Sequence, residues 1–217
     1  MANPKDSIRR KATTKFHRDH YPELNQAAGG TTVGGTNMAF IKKYVVGSPA
    51  DNGGKGTFMA AYINTYMLRL AEVYLIYAEA ILGNSASTSD AEALKAFNAV
   101  RARAGMDAKS SLTFMDIFME KRIELAMEGQ AWYEILRWYY FDPAGAKAYV
   151  QGQDRGNYTI NYVTGTNAPR QYTVAYTPAH FVFNEQSIYL PFPEVEMNIA
   201  RGLAEPPVPF DFSVLPD

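Results

Sequence analysis

The chain has 217 residues, 47% hydrophobic and 20% charged, which suits one substantial domain with a core of ordinary density and excludes a sequence too polar to fold. No apolar run is long enough to cross a bilayer, and a formal charge of -1 with scattered basic residues argues against a nucleic-acid partner, which needs a basic face. With no cysteine the chain carries neither a disulfide framework nor a thiolate metal site, and the count leaves the compartment open.

Met1 to Asp6 lacks the basic and then apolar segments of a secretory signal, so the chain is expected to be cytosolic or a piece of a longer one exported by a signal elsewhere. From Met1 to about Asn52 the residues read as strands and loops. The densest basic cluster, Ser7-Ile8-Arg9-Arg10-Lys11, is expected to be a solvated strand edge. Gly29 to Gly35 is too glycine-rich for a helix, and Phe40 to Val46 is β-branched and aromatic, predicting a short strand before Gly47-Ser48-Pro49.

From Ile63 to Leu82, Tyr66, Leu70, Val73, Tyr74, Tyr77, Ala78 and Ile81 recur at steps of three and four, which predicts a helix with those residues inward and Gly83-Asn84 as its stop. Ser89-Asp90-Ala91-Glu92 offers the cap of a second helix carrying Leu94, Phe97, Val100 and Ala104 inward and ending at Gly105. Small residues at the facing positions, Ala78, Ala80, Ala93 and Ala96, let the two approach closely, in a hairpin of about tetratricopeptide length. One such unit cannot bury its faces alone. A second is expected from Thr113 to Glu128, broken at Gly129, and from Gln130 to Tyr140 before Asp142-Pro143.

Beyond Pro143 the helical period fades. Asn157 to Val163 and Gln171 to Tyr176 alternate as two strands of a hairpin joined through Thr164 to Arg170. Pro193-Glu194-Val195-Glu196 starts a short helix with acids where its dipole favours them, and the closing proline-rich run is expected to be extended. The expected organisation is a strand and loop segment at 1–61, two helical hairpins at 62–142, and a β-hairpin with a proline-rich tail at 143–217, all in one mainly α domain.

Four blocks then stand in a recognisable order: Leu68 to Ala80, Phe97 to Gly105, Glu120 to Gly129 followed by Trp132, Tyr133, Leu136, Arg137 and Trp138, and Leu190-Pro191-Phe192-Pro193-Glu194. Together they resemble the C-terminal region of SusD/RagB nutrient-binding proteins. The resemblance implies a SusD-like mainly α fold with tetratricopeptide-like hairpins and irregular loops. It also implies a non-catalytic lipoprotein on the extracellular face of the outer membrane that captures a glycan or peptide for a SusC-like TonB-dependent barrel. Members of that family are roughly twice this length, so the chain is expected to be a shortened or processed fragment that lacks the anchoring segment and partners its missing N-terminal half. The chain departs from the family pattern at Gln130-Ala131, at Glu134 to Trp138, and at Asn198-Ile199, which leaves the scaffold assignment standing and the packing of the tail open.

Glu120, Glu124 and Glu128 fall at steps of four, so on a helix three carboxylates share one line, the raw material of general acid and base chemistry in a glycoside hydrolase. Like charges in a line destabilise a helix unless cations meet them, and Arg101, Arg103, Arg122 and Arg137 are at hand, so a structural ion-pair network is the preferred reading. His17, Asp19 and His20 lack a third ligand at metal-binding spacing, and Asn52 to Thr57 resembles a phosphate loop only superficially, with Pro49 where the leading glycine belongs. No cofactor and no catalytic residue are expected. Trp132, Tyr133, Trp138, Tyr139 and Tyr140 are assigned mostly to core. Ligand contacts are sought in loop residues instead: Phe16, His17, Tyr21 and Tyr44. A helical-repeat scaffold that grips partner peptides is the remaining alternative.

Overall fold

The computed structural model describes residues 6–34, 38–56, 61–162, 172–184, 188–189 and 191–205. The expected connection from Thr164 to Arg170 and the closing proline-rich run lie outside them. The chain divides into two compact units, Met1–His180 and Phe181–Asp217. The architecture is mainly helical, with seven α-helices among the described residues.

The first unit opens with α1, Ser7–Thr13, followed by two small antiparallel pairs, β1 (Thr14–Lys15) with β4 (Phe40–Ile41) and β2 (His20–Tyr21) with β3 (Thr31–Thr32). The helix corrects the expectation of a solvated strand edge at Ser7 to Lys11. Arg9 is buried, its Nε donating to both carboxylate oxygens of Asp6 at 2.9 and 2.8 Å, and that pairing one turn apart requires helical spacing. The predicted strand at Phe40 to Val46 shortens to two residues, because Tyr44 adopts a left-handed backbone with φ of 68° that ends any extended run.

Three long helices build the core: α2 (Leu70–Leu82), α3 (Ala91–Arg103) and α4 (Phe114–Glu124). Asp90 caps α3, its carboxylate accepting from the amides of Glu92 and Ala93 at 2.9 and 3.0 Å. Thr113 caps α4 in a reciprocal box with Asp116, whose side chain accepts from the Thr113 amide at 3.0 Å. α2 packs on both α3 and α4. Leu75, Ala78, Leu82, Ala93, Phe97, Val100, Leu112 and Ile117 close between them. Fully burying side chains such as Leu75 or Phe97 contributes about 1.5–3 kcal/mol each.

The buried stripe of α2 differs from the predicted one. Ala78 is inward and Ile81 partly so, but Leu70, Val73, Tyr74 and Tyr77 are exposed, and Leu75 and Leu82 take the core positions. α2 is apolar around most of its circumference, so periodicity there cannot choose a face. It also begins at Leu70 rather than Ile63, which leaves Tyr66 outside it.

α5 (Ala131–Phe141) and α6 (Pro143–Gly152) pack on each other and enclose a second cluster of Phe118, Ile135, Trp138 and Ala146. Rings of Phe114, Phe118, Trp138 and Tyr149 meet there, with the Phe118 centroid 5.0 Å from those of Trp138 and Tyr149. Trp138 is core as expected, whereas Tyr133 and Tyr140 are exposed. α6 was not foreseen beyond Pro143, although its start is legible: Pro143 at the first helical position and Asp142 accepting from the Gly145 amide at 3.0 Å. β5 (Asn157–Tyr162) and β6 (Tyr172–Thr177) pair antiparallel, from Asn157 opposite Thr177 to Tyr162 opposite Tyr172.

In the second unit α7, Glu194–Ile199, begins after Pro193 with two acids in its first turn, and a 3-10 turn at Arg201–Ala204 follows. No helix among the described residues is long and apolar enough to cross a membrane.

Candidate functional site

The three glutamates at steps of four are all buried, and cations reach each of them from distant parts of the chain. Glu120 accepts from Arg9 at 2.5 Å and from Arg101 at 2.8 Å. Glu124 accepts from Arg69 at 2.8 Å, from Arg9 at 3.5 Å and from Arg103. Glu128 accepts from Arg69 Nε at 2.7 Å and from Lys43 Nζ at 2.6 Å.

The predicted helix through Glu128 stops at Glu124, and the same cations show why. Arg69 Nη2 donates to the Glu124 carbonyl at 2.7 Å and Lys43 Nζ to that of Ala126 at 2.7 Å, satisfying carbonyls that the next helical turn would otherwise use. Met127 and Gly129 then turn through the left-handed region, with φ of 66° and 84°. Burial by itself would raise the pKa of Glu128, but hydrogen bonds from Arg69 and Lys43 outweigh it and hold the carboxyl below its ordinary range. A general acid needs the opposite shift.

Of the four arginines expected on this line, Arg101 and Arg103 lie on it and two stand elsewhere. Arg137 pairs instead with Glu79, at 2.5 Å, and with Glu134, at 2.6 Å, and the buried Lys121 joins the same two carboxylates at 2.7 and 3.1 Å. Arg122 lies over the ring of Tyr149, 5.5 Å from its centroid. Arg122 is one residue past the Lys121 position and Arg137 is on α5, so neither projects toward the Glu120 to Glu128 line. Arg9, Arg69 and Lys43, which do most of the pairing, were not foreseen. Only their charge marks them in sequence, because their partners are 55 to 115 residues away.

A cavity of about 350 Å³ opens above this network, its floor made by Arg9, Arg69, Glu124 and Glu128 and its wall by Tyr44 and Tyr66. The two rings sit 5.9 Å apart, inclined by 34°. The Tyr44 hydroxyl is shielded, and burial, followed by the charge of Glu128, raises its pKa. Aromatic faces beside a polar floor suit a sugar, whose ring stacks on one while its hydroxyls bond to the other.

The other three candidate ligand residues do not line this cavity. Tyr21 is buried, its hydroxyl donating to the carbonyls of Lys11 and Thr14 at 3.3 and 3.2 Å. Phe16 is half-buried beneath the Arg10 guanidinium, 5.1 Å from the ring centroid. His17 sets Nδ1 3.1 Å from the Gly34 carbonyl. Asp19 is held by Arg10 and by the Phe16 amide at 2.7 Å, and His20 faces Thr32 Oγ1 at 3.0 Å, so this cluster orders its own loop.

Residues 10–207 match the model of the SusD family. The chain belongs to the SusD family. A SusD-like protein from Bacteroides ovatus is 38% identical over 96% of the chain, and the chain spans 41% of that relative's length. A solved crystal structure, 38% identical, superposes with a TM-score of 0.83 over 96% of this chain and 44% of its own. Another, described as containing a xylogluco-oligosaccharide, is 38% identical with a TM-score of 0.84, covering 97% of this chain and 45% of its own. In this SusD-family chain the Leu68 to Ala80 block is α2 with its lead-in, the Phe97 to Gly105 block is the second half of α3 and its stop, and Glu120 begins the charged end of α4. Three of the four sequence blocks therefore fall on the helical core, and the third carries the glutamates beneath the cavity.

Proposed function

We propose that this chain is part of a non-catalytic SusD-family protein that captures a glycan at the bacterial surface and delivers it to a SusC-like TonB-dependent barrel. The observation that carries the reading is the 38% identical relative that superposes over 97% of the chain and holds a xylogluco-oligosaccharide. In the same reading the full-length protein is lipid-anchored on the extracellular face of the outer membrane, residues 62–142 are scaffold, and Tyr44 and Tyr66 give the sugar its stacking surface. The glutamate line supports capture rather than hydrolysis, since its carboxylates are committed to arginine and lysine.

Titration calorimetry with xyloglucan oligosaccharides, with reducing-sugar release followed in parallel, tests this. Saturable binding without release is expected, and Tyr44→Ala and Tyr66→Ala should each weaken it roughly three- to tenfold, the worth of one aromatic face. Sugar release by the purified chain would overturn the non-catalytic reading. Binding unchanged in both variants would move the site away from this cavity.

A further inference from the structure

A second, smaller cavity of about 100 Å³ lies where α4, the start of α5 and the end of α6 meet. It holds several times the roughly 10–15 Å³ that one water needs. Lys121, Arg122 and Arg155 line it against a single carboxylate, Glu134. That carboxylate is already shared between Lys121 and Arg137.

Arg122 and Arg155 are different from every arginine of the glutamate network. Among the described residues no carboxylate pairs with either. Arg122 rests on the Tyr149 ring, and among the described residues the Arg155 guanidinium donates to Gln153 Oε1, at 3.3 Å. The neighbouring Asp154 is turned the other way, accepting from the amides of Gly156 and Ala179 at 3.0 Å each. The two guanidinium groups are close enough that, after burial, Arg155 is what lowers the pKa of Arg122. Two like charges held at one cavity repel unless an anion sits between them, and the planar guanidinium fork matches the oxygens of a carboxylate or sulfate. The Gln153 side chain borders the same space and can add an amide donor.

We propose that this cavity is a binding site for a small oxyanion, held between Arg122 and Arg155 with Gln153 beside it. The ion is either free in solution or a substituent of an acidic sugar; the recognition chemistry is the same, and titration distinguishes the two. Sulfate, acetate and glucuronate are titrated calorimetrically into the full chain in chloride buffer of matched ionic strength. The expected result is saturable binding of one equivalent. Sulfate or acetate binding as well as glucuronate assigns a site for free ions, and preference for glucuronate over acetate assigns a sugar-borne carboxylate. Arg122→Gln and Arg155→Gln should each weaken binding roughly ten- to hundredfold, the loss of one charge-assisted hydrogen bond. Both side chains are exposed and pair with no carboxylate among the described residues, so neither change strands a buried charge, and circular dichroism confirms that the variants are folded. No saturable binding by the parent chain, or equal affinity in the parent and both variants, would overturn the proposal. Because free ions carry no sugar ring, this result is independent of glycan capture.

Discussion

Replacing Glu124 with Gln removes the charge from a carboxylate that is 3% exposed and touched by Arg9, Arg69 and Arg103. Breaking a buried pair costs about 3–5 kcal/mol, because the partner charge stays behind without compensation. Here the loss is softened: Arg9 keeps Asp6 and Glu120, and Arg69 keeps Glu128. Arg103 is 65% exposed, so its share is at most about 1 kcal/mol. The expected destabilisation is about 2–4 kcal/mol. With a slope of about 2 kcal/mol per molar urea, the unfolding midpoint should fall by roughly 1–2 M, read by far-UV circular dichroism. Arg103→Ala, which contacts the same carboxylate from the solvent side, should shift it by less than about 0.5 M. Equal midpoints for parent and Glu124→Gln would refute the buried-network reasoning, as would equal shifts in the two variants.

Asp90→Ala removes the α3 cap that takes two amide protons, and should cost about 1 kcal/mol in the same urea titration. Glu79 and Glu128 have pKa values below their ordinary 4.5, so the unfolded chain binds more protons there. Their contribution is complete above that value and is lost as pH falls through the folded values, so thermal stability measured down a pH series should drop from about pH 4.5. Glu72 is opposite in sign: burial, then the charge of Glu134, raises its pKa, so its ionised form opposes folding at neutral pH. Glu72→Gln should therefore raise the melting temperature at pH 7, with the gain disappearing once the parent's Glu72 is protonated in acid.

The elements most legible in sequence are those whose signals are local. α3 lies between its Asp90 cap and Gly105, whose φ of 68° is the left-handed turn that glycine accepts, and the α4 cap at Thr113 and the β5–β6 pair were likewise readable. The start of α6 was readable too, but Asp142-Pro143 also marks the end of a helix, and here it ends α5 and begins α6 within two residues. The candidate site was half legible. Tyr44 stands out as a loop aromatic, whereas periodicity places its partner Tyr66 on the inward face of a helix that begins four residues later.

What the sequence by itself determined is the mainly helical class, the caps and stops, the SusD-type order of blocks, and the need for cations beside Glu120, Glu124 and Glu128. Only the tertiary structure decided which cations those are, which side of α2 is buried, and that Ser7 to Thr13 coils into a helix delivering Arg9 to Glu120, 111 residues away. The physical reason is range. Caps and turns are settled by hydrogen bonds within a few residues, whereas a buried charge takes whichever opposite charge the folded backbone brings within reach.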